Sequence, residues 1–399
     1  MEDTPLTTLP PALVISHGPG GLGTVRSLAR RGVRVTAVAY DTSDPVLRSR
    51  YPVRKYVVPG DPADKDSEIL NLLRGLPADG AVLLFTSDQL VSLISSNEDE
   101  LRDRFRFKLP PKGMVDALND KRKETALIES LGFAIPKTIR ELPSDPGELS
   151  RRLRFPIIFK PHSFEAKSVF PEKVATVSDQ GNLERFYRDW SHAIPVLLAQ
   201  EIIPGPDDNS WVCSGTFDER SNLLDCLVRQ KLRTMPPHYG TSTYSISRIN
   251  TDILALARDL GKALNYIGHA GIEYRWDERD QMFKYIELNP RIGGEVGFDE
   301  ACGLPTVWNT YRVSAGERVS HYGSKQREGL YFVNASGDIR SMRQDGVSLI
   351  RILTTHFAYL FRPTSGQWFR WYDPMPGVAV ALRFLARLFR LALKKGEQD

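Results

Sequence analysis

Two glutamates stand in segments whose alternating apolar and polar residues read as a β-hairpin. The first segment is Gly271-Ile-Glu273-Tyr-Arg275-Trp and the second is Phe283-Lys-Tyr-Ile-Glu287-Leu-Asn289-Pro-Arg291, with Asp277-Glu-Arg-Asp280 as the polar turn between them. Successive side chains alternate faces along a strand, so Glu287 and Asn289 share one face while Ile286 and Leu288 take the other. A turn centred on residue 280 sets Glu273 directly opposite Glu287. Like charges so opposed destabilise a ladder unless a cation lies between them. Carboxylate oxygens with an amide alongside suit Mg²⁺, which keeps waters and is completed by phosphates. The alternative is a solvated strand face whose carboxylates pair with Arg275 or Arg291.

Other residues could hold phosphate or a nucleotide. Lys121 follows Asp120 near the start of a predicted helix, and Lys160 ends the apolar run Pro156-Ile-Ile-Phe159. An ammonium there suits phosphate as a point charge, although either lysine taken alone is more often a surface residue. In Leu197-Leu-Ala-Gln200-Glu201-Ile-Ile203-Pro-Gly-Pro-Asp207-Asp208 an apolar strand runs into a rigid turn and two acids. Its backbone could meet a purine and an acid the ribose hydroxyls; otherwise it is an edge strand and a turn. Gly18-Pro-Gly20-Gly21-Leu-Gly23 lies between a strand and a helix, with Asp41 ending the next strand, as in a dinucleotide fingerprint. A tight strand-to-helix turn would use the same glycines, and Pro19 removes an amide donor. Thr86, Ser87 and Asp88 end a strand where substrates bind in parallel sheets, or else cap the following helix.

The elements that must position these groups fall into two styles. Apolar runs Ala12–Ser16, Val33–Ala39 and Ala81–Phe85, with a helical pattern over Leu22–Arg31, predict a parallel-sheet α/β domain over residues 1–110. Later runs, Pro156–Phe159, Val196–Ile203, Leu223–Val228, Ala270–Trp276 and Phe283–Leu288, with a helix over Asp252–Leu264, predict an α+β region. The chain has 399 residues, 41% hydrophobic and 26% charged, which excludes disorder as its main state. Three widely spaced cysteines, Cys213, Cys226 and Cys302, argue against a disulfide framework and for a reducing, cytoplasmic setting. The N-terminal stretch lacks a signal-peptide pattern, and no run of about 18 apolar residues predicts a membrane span.

Taken in order, Asp120-Lys121, the Lys160 strand, Gln200-Glu201-Ile-Ile-Pro-Gly and Glu287-Leu-Asn289-Pro-Arg291 resemble the ATP-grasp superfamily. Within it the layout is most similar to the carboxylate-amine ligase branch that includes D-aspartate ligase, with carbamoyl-phosphate-synthase-like relatives beside it. The resemblance implies an N-terminal parallel-sheet pre-ATP-grasp domain at 1–110, an ATP-grasp domain of two α+β subdomains at 111–315 and a C-terminal extension at 316–399. It implies ATP and Mg²⁺ as cofactors, Mn²⁺ being an alternative, and an ADP-forming reaction that activates a carboxylate as an acyl phosphate for attack by an amine. Carried over to this chain, Lys121 and Lys160 would hold the phosphates, and Gln200, Glu201 and Ile203 the adenine. Asp208, or alternatively Asp207, would meet the ribose, and Glu273, Glu287 and Asn289 the metal. Arg291, Lys231 and Arg233 would act near the transferred phosphoryl group. The glycine loop, with Gly20 and Gly21, and Ser87 and Asp88 would line the substrate cleft.

One departure stands out. Where the family has a Gly/Ser-rich loop over the phosphates, this chain has Pro161-His-Ser-Phe-Glu-Ala-Lys167-Ser168 without a glycine. The second reading is therefore a nucleotide-binding regulatory module without turnover, and the third an NAD-dependent oxidoreductase built on Gly18–Gly23. No GxSxG, HExxH or P-loop motif offers another chemistry, and nucleic-acid binding has no motif behind it. From Gly316 onward the net charge is +6, against −2 for the rest. Val378–Lys395 reads as an amphipathic helix, with Arg383, Arg387, Arg390 and Lys394 on one face and Leu382, Leu385, Phe389 and Leu393 on another. An anionic membrane surface would suit it, and so would docking on its own protein or on a twin subunit.

Overall fold

The computed structural model describes residues 9–60, 64–77, 80–319 and 325–396 of the chain. Three sheets carry the fold. The first contains β1 (Ala12–Ser16), β2 (Val35–Ala39), β3 (Arg54–Val57), β4 (Ala81–Phe85) and β5 (Phe105–Arg106), in the order β3-β2-β1-β4-β5. All its pairings are parallel. β1 and β4 are buried along their whole length, as expected of aliphatic strands covered on both faces by helices.

The second sheet is antiparallel: β6 (Thr138–Ile139), β7 (Ile157–Pro161), β8 (Ala175–Val177) and β9 (Leu197–Glu201), in the order β6-β9-β7-β8. Its inner face packs Phe159, Phe170, Phe186 and Leu197 into one cluster. The third sheet has seven strands, β10 (Ser210–Phe217), β11 (Leu223–Met235), β12 (Thr241–Ser247), β13 (Gly268–Asp277), β14 (Met282–Asn289), β15 (Tyr331–Val333) and β16 (Thr364–Gly366). Their order is β14-β13-β10-β11-β12-β15-β16. The helix Thr251–Ala263, N-capped by the Asn250 side chain, buries Ile253, Ala257 and Leu260 against one face of this sheet. The opposite face carries Lys231 and Glu273, and the helix Thr306–Ala315 covers part of it, Thr306 and Thr310 bonding Thr216.

Residues beyond 316 take part in this sheet through β15 and β16. They are tied to the front of the molecule as well: Arg26 bonds the Asp373 carboxylate at 2.9 Å, both side chains being buried. The last helix runs from Met375 to Gly396. Of the amphipathic pattern expected there, Leu382 and Arg383 are exposed, whereas the side chains of Leu385, Arg387, Phe389, Arg390, Leu393 and Lys394 lie outside the described residues.

Candidate functional site

The hairpin β13–β14 forms, and its far end keeps the expected register. Glu273 pairs directly with Glu287, and Gly271 with Asn289. A bulge next to this pair shifts the register beyond it, so Tyr274 faces Tyr285. Lysines meet both carboxylates. Lys231 on β11 is buried, with its Nζ 2.5 Å from Glu273 Oε2, and Lys121 Nζ lies 3.4 Å from Glu287 Oε2. Neither arginine of the solvated-face alternative is used that way. Arg275 donates to the Ile203 and Gly205 carbonyls and to Ser210, while Arg291 Nε donates to Asp88 at 3.0 Å.

The position of Lys121 follows from its helix. Asp120 caps Lys121–Ser130 by accepting from the Arg122 and Lys123 amides. Three residues on, buried Glu124 accepts from Tyr285 Oη and the Leu288 amide, which pins the helix to β14. Sequence reasoning passed over Glu124; its signal was an acid one turn after Lys121 in a helix with little apolar content.

Lys160 reaches the same region from β7 and donates to Gln200 Oε1 at 2.9 Å, and the Gln200 amide donates to Thr138. Burial, joined by the nearby Lys121 charge, pushes Lys160 down to about 8. For Lys121, burial opposes the charge, but Glu287 and Glu124 outweigh it and hold the ammonium above the usual lysine range. Burial likewise opposes ionisation of Glu287, yet Lys121 and Lys231 keep it well below the usual carboxylate range. Lys173, after the glycine-poor segment, adds to this effect on Glu287 and had no signal beyond its charge.

An apolar cleft opens beside these charges, lined by Ile158, Ile203, Tyr239, Tyr274 and Ile286 among others, with Lys160, Lys231 and Glu273 at its polar end. Gln200 faces this cleft. Glu201, next along the strand, turns to the other side, accepting from the Arg154 amide and lying 3.5 Å from Arg279. Any contribution of Glu201 to the cleft is therefore through its backbone. The Glu201 and Ile202 amides are spent on the Lys137 and Pro156 carbonyls, and the Ile203 amide has no acceptor among the described residues. Asp208 is exposed and offers its carbonyl to Gln230, whereas Asp207 bonds Thr234 and His238, both in the cleft wall. Asp207 rather than Asp208 is the better-placed acid.

Arg233 requires a correction. Bulges flank it on β11, and its guanidinium bonds both oxygens of fully buried Asp338 at 2.7 Å and meets Tyr359 Oη at 3.3 Å. It is occupied by the C-terminal part of the chain instead of reaching Lys231's side. Gly20 and Gly21 are corrected too. A Cβ on Gly21 would fall 2.0 Å from Ser16 Oγ, and one on Gly20 3.0 Å from the Gly293 carbonyl oxygen. A Cβ on Gly23 would lie 2.8 Å from Val296 Cγ2. The glycines thus let the helix Pro19–Ala29 approach its own strand and the segment 293–297, which covers them. Gly18, at φ 75°, gives its amide to Asp44. Ser87 caps its helix by accepting from Leu90 N, and Asp88 alone of the trio reaches the site, through Arg291.

The glycine-poor segment after β7 forms a short 3₁₀ turn, Glu165–Ser168. Ala166 is buried, and so is Phe170, edge-on to Trp190 with ring centres 4.7 Å apart. The turn is anchored in the core of the second sheet.

Two opposed carboxylates and the Asn289 amide form an oxygen-rich donor set of the kind Mg²⁺ takes. Asn289 presents its amide nitrogen to Glu287 and its oxygen to Arg291, an arrangement one flip of the amide reverses. The residues fit the ion.

Residues 219–322 match the family described as "Carbamoyl-phosphate synthase L chain, ATP binding domain". A D-aspartate ligase of Enterococcus faecium is 26% identical over 290 residues, 66% of this chain and 67% of the relative. Among solved structures, an L-amino acid ligase from Bacillus licheniformis matches with a TM-score of 0.61 at 17% identity, over 82% of this chain and 79% of its own. The biotin carboxylase domain of Hydrogenobacter thermophilus 2-oxoglutarate carboxylase, a dimer solved with MgADP, ADP and bicarbonate, matches with 0.62 at 15% identity, over 81% and 74%. These structural likenesses are of fold. In motif, in matched domain and in fold, the chain is similar to the ATP-grasp ligases, with relatives in the D-aspartate ligase and carbamoyl-phosphate synthase branches.

Proposed function

We propose that this protein is an ATP-dependent carboxylate-amine ligase that forms ADP and an amide-like C–N bond. The observation that carries the reading is the Glu273–Glu287 pair held among Lys121, Lys160 and Lys231 at the head of the apolar cleft. Adenine would lie against Ile158, Ile203 and Ile286, with the Ile203 amide as donor and Asp207 near the ribose. Lys121 and Lys160 would then hold the phosphates as point charges.

Glu273, Glu287 and Asn289 would hold Mg²⁺, which when bound supplies neutralisation of phosphate charge and a template for the phosphates. A carboxylate is a poor electrophile at neutral pH. Passing the γ-phosphoryl to it gives a mixed anhydride whose phosphate an amine displaces. Lys231, buried beside Glu273, would lower the charge near the transferring group, and Arg291, fixed by Asp88, would orient the acceptor carboxylate. Free buried cysteines fit a cytoplasmic setting. A homodimer, the three-part division at 110 and 315, and peripheral membrane contact through the last helix complete the proposal.

A non-catalytic nucleotide-binding module is the second reading, favoured by one observation: the anchored, glycine-poor 161–168 segment. Mg²⁺-dependent ADP release from ATP with pooled carboxylates and amines separates the two. Release stimulated by one carboxylate with one amine supports the ligase. ATP binding without release under any pool supports the module.

A further inference from the structure

Eleven of the nineteen exposed large apolar side chains among the described residues fall between Leu349 and Leu382. Six of them, Leu349, Ile350, Leu353, Phe357, Leu360 and Phe361, lie on or directly after the helix Leu349–Tyr359. At about 100° per residue these six fill a single arc of about 120°, with no polar residue inside it. Ile350 is 76% exposed, Phe361 78%, and the Phe357 and Phe361 rings lie 5.4 Å apart, so the arc is continuous. The helix is held from the far side, where Ile352 and Tyr359 are buried and Tyr359 donates to Asp338. Beyond it, Trp371 is 88% exposed and packs edge-on against Phe369.

The charge around this face names its occupant. On and just after the same helix Arg351 and Arg362 are exposed, and the one acid between Val347 and Met375, Asp373, has its carboxylate buried against Arg26. A second copy laid on this face would bring like charge to like charge. A lipid interface rich in anionic headgroups takes up the cations and the apolar arc together, with an aromatic side chain at headgroup depth. No described helix is long and apolar enough to cross a membrane, so the contact is an interfacial one.

We infer that the Leu349–Phe361 face docks on an anionic lipid surface, its apolar arc inserting between headgroups. The inference does not depend on the reaction assigned above. The test is co-sedimentation of the full chain with phosphatidylcholine vesicles, with and without about 30% phosphatidylglycerol. The wild type sediments with the anionic vesicles and not with the neutral ones, and salt releases it. Ile350→Glu/Phe357→Glu/Phe361→Glu lowers that partition by at least about tenfold with an unchanged melting temperature and unchanged ATP binding. The milder Phe357→Ser/Phe361→Ser moves it in the same direction should the glutamates disturb the helix. Equal binding of the variants and the wild type overturns the inference. So does a wild-type dimer that binds no vesicle and that the triple substitution splits into monomers in a sedimentation-velocity run.

Discussion

The glycine turn Gly18–Gly23 and the carboxylate hairpin Glu273–Arg291 both carry a nucleotide-binding signature, and the fold treats them oppositely. At the turn, Gly20, Gly21 and Gly23 are consumed by protein packing, and the Gly18 amide is given to Asp44. At the hairpin, two carboxylates are aimed at lysines from two other elements beside an open cleft. A glycine motif reports that something comes close, whether ligand or neighbouring backbone. Opposed like charges report more, because they persist only where cations are supplied.

The sharpest break of this contrast is Glu287→Ala. It should lower ADP release on the order of 10³-fold, as loss of a charge-stabilising group does, while thermal melting shows an intact fold. Near-normal release would remove the hairpin from the site. Asp338→Ala is expected to act on stability instead, costing about 3–5 kcal/mol by leaving Arg233 partly buried and unpaired. Chemical denaturation reads this out; an unchanged midpoint would return Arg233 to the catalytic candidates. Gly21→Ala should cost about 1–3 kcal/mol through its overlap with Ser16, with ATP affinity retained. Unchanged stability with weakened nucleotide binding would restore the turn as a ligand site.

The smallest effect concerns a proton. Free Lys160 titrates at about 8 because it is buried near Lys121. A bound phosphate favours the charged form, so the bound-state pKa is higher, and ATP binding near pH 8 takes up a proton. Affinity should fall as pH rises through 8, by at most about tenfold per unit. Calorimetry in two buffers of different ionisation heat should show this uptake in the wild type and not in Lys160→Met.

Much of this was legible in the sequence. β1 and β4 formed over Ala12–Ser16 and Ala81–Phe85 as their aliphatic runs predicted; the expected 273/287 pair is present, but the turn sets Asp277 opposite Met282 instead of centring on residue 280, and the bulge beside Glu273 restores the pair. β12, Thr-Ser-Thr-Tyr-Ser-Ile-Ser, was missed because its burial comes from neighbouring strands and its residues carry little hydropathy. Arg233 came from the resemblance alone, and its partner Asp338 lies 105 residues further on, a contact that no local pattern encodes. Glu124 and the Asp88–Arg291 pair join residues 161 or more positions apart, contacts no local pattern encodes. The anchoring of the 161–168 turn depends on Phe170 meeting Trp190 and Phe186, again a tertiary fact.

The proposed function places the nucleotide phosphates among Lys121, Lys160, Glu273 and Glu287. Titration of Mg²⁺-ATP, and separately of NAD, into the wild type and Lys121→Met/Lys160→Met tests it most directly. Saturable ATP binding that is lost in the double variant, with no NAD binding to either protein, is the expected result. ATP binding that survives both substitutions, or NAD binding by the wild type, would contradict it.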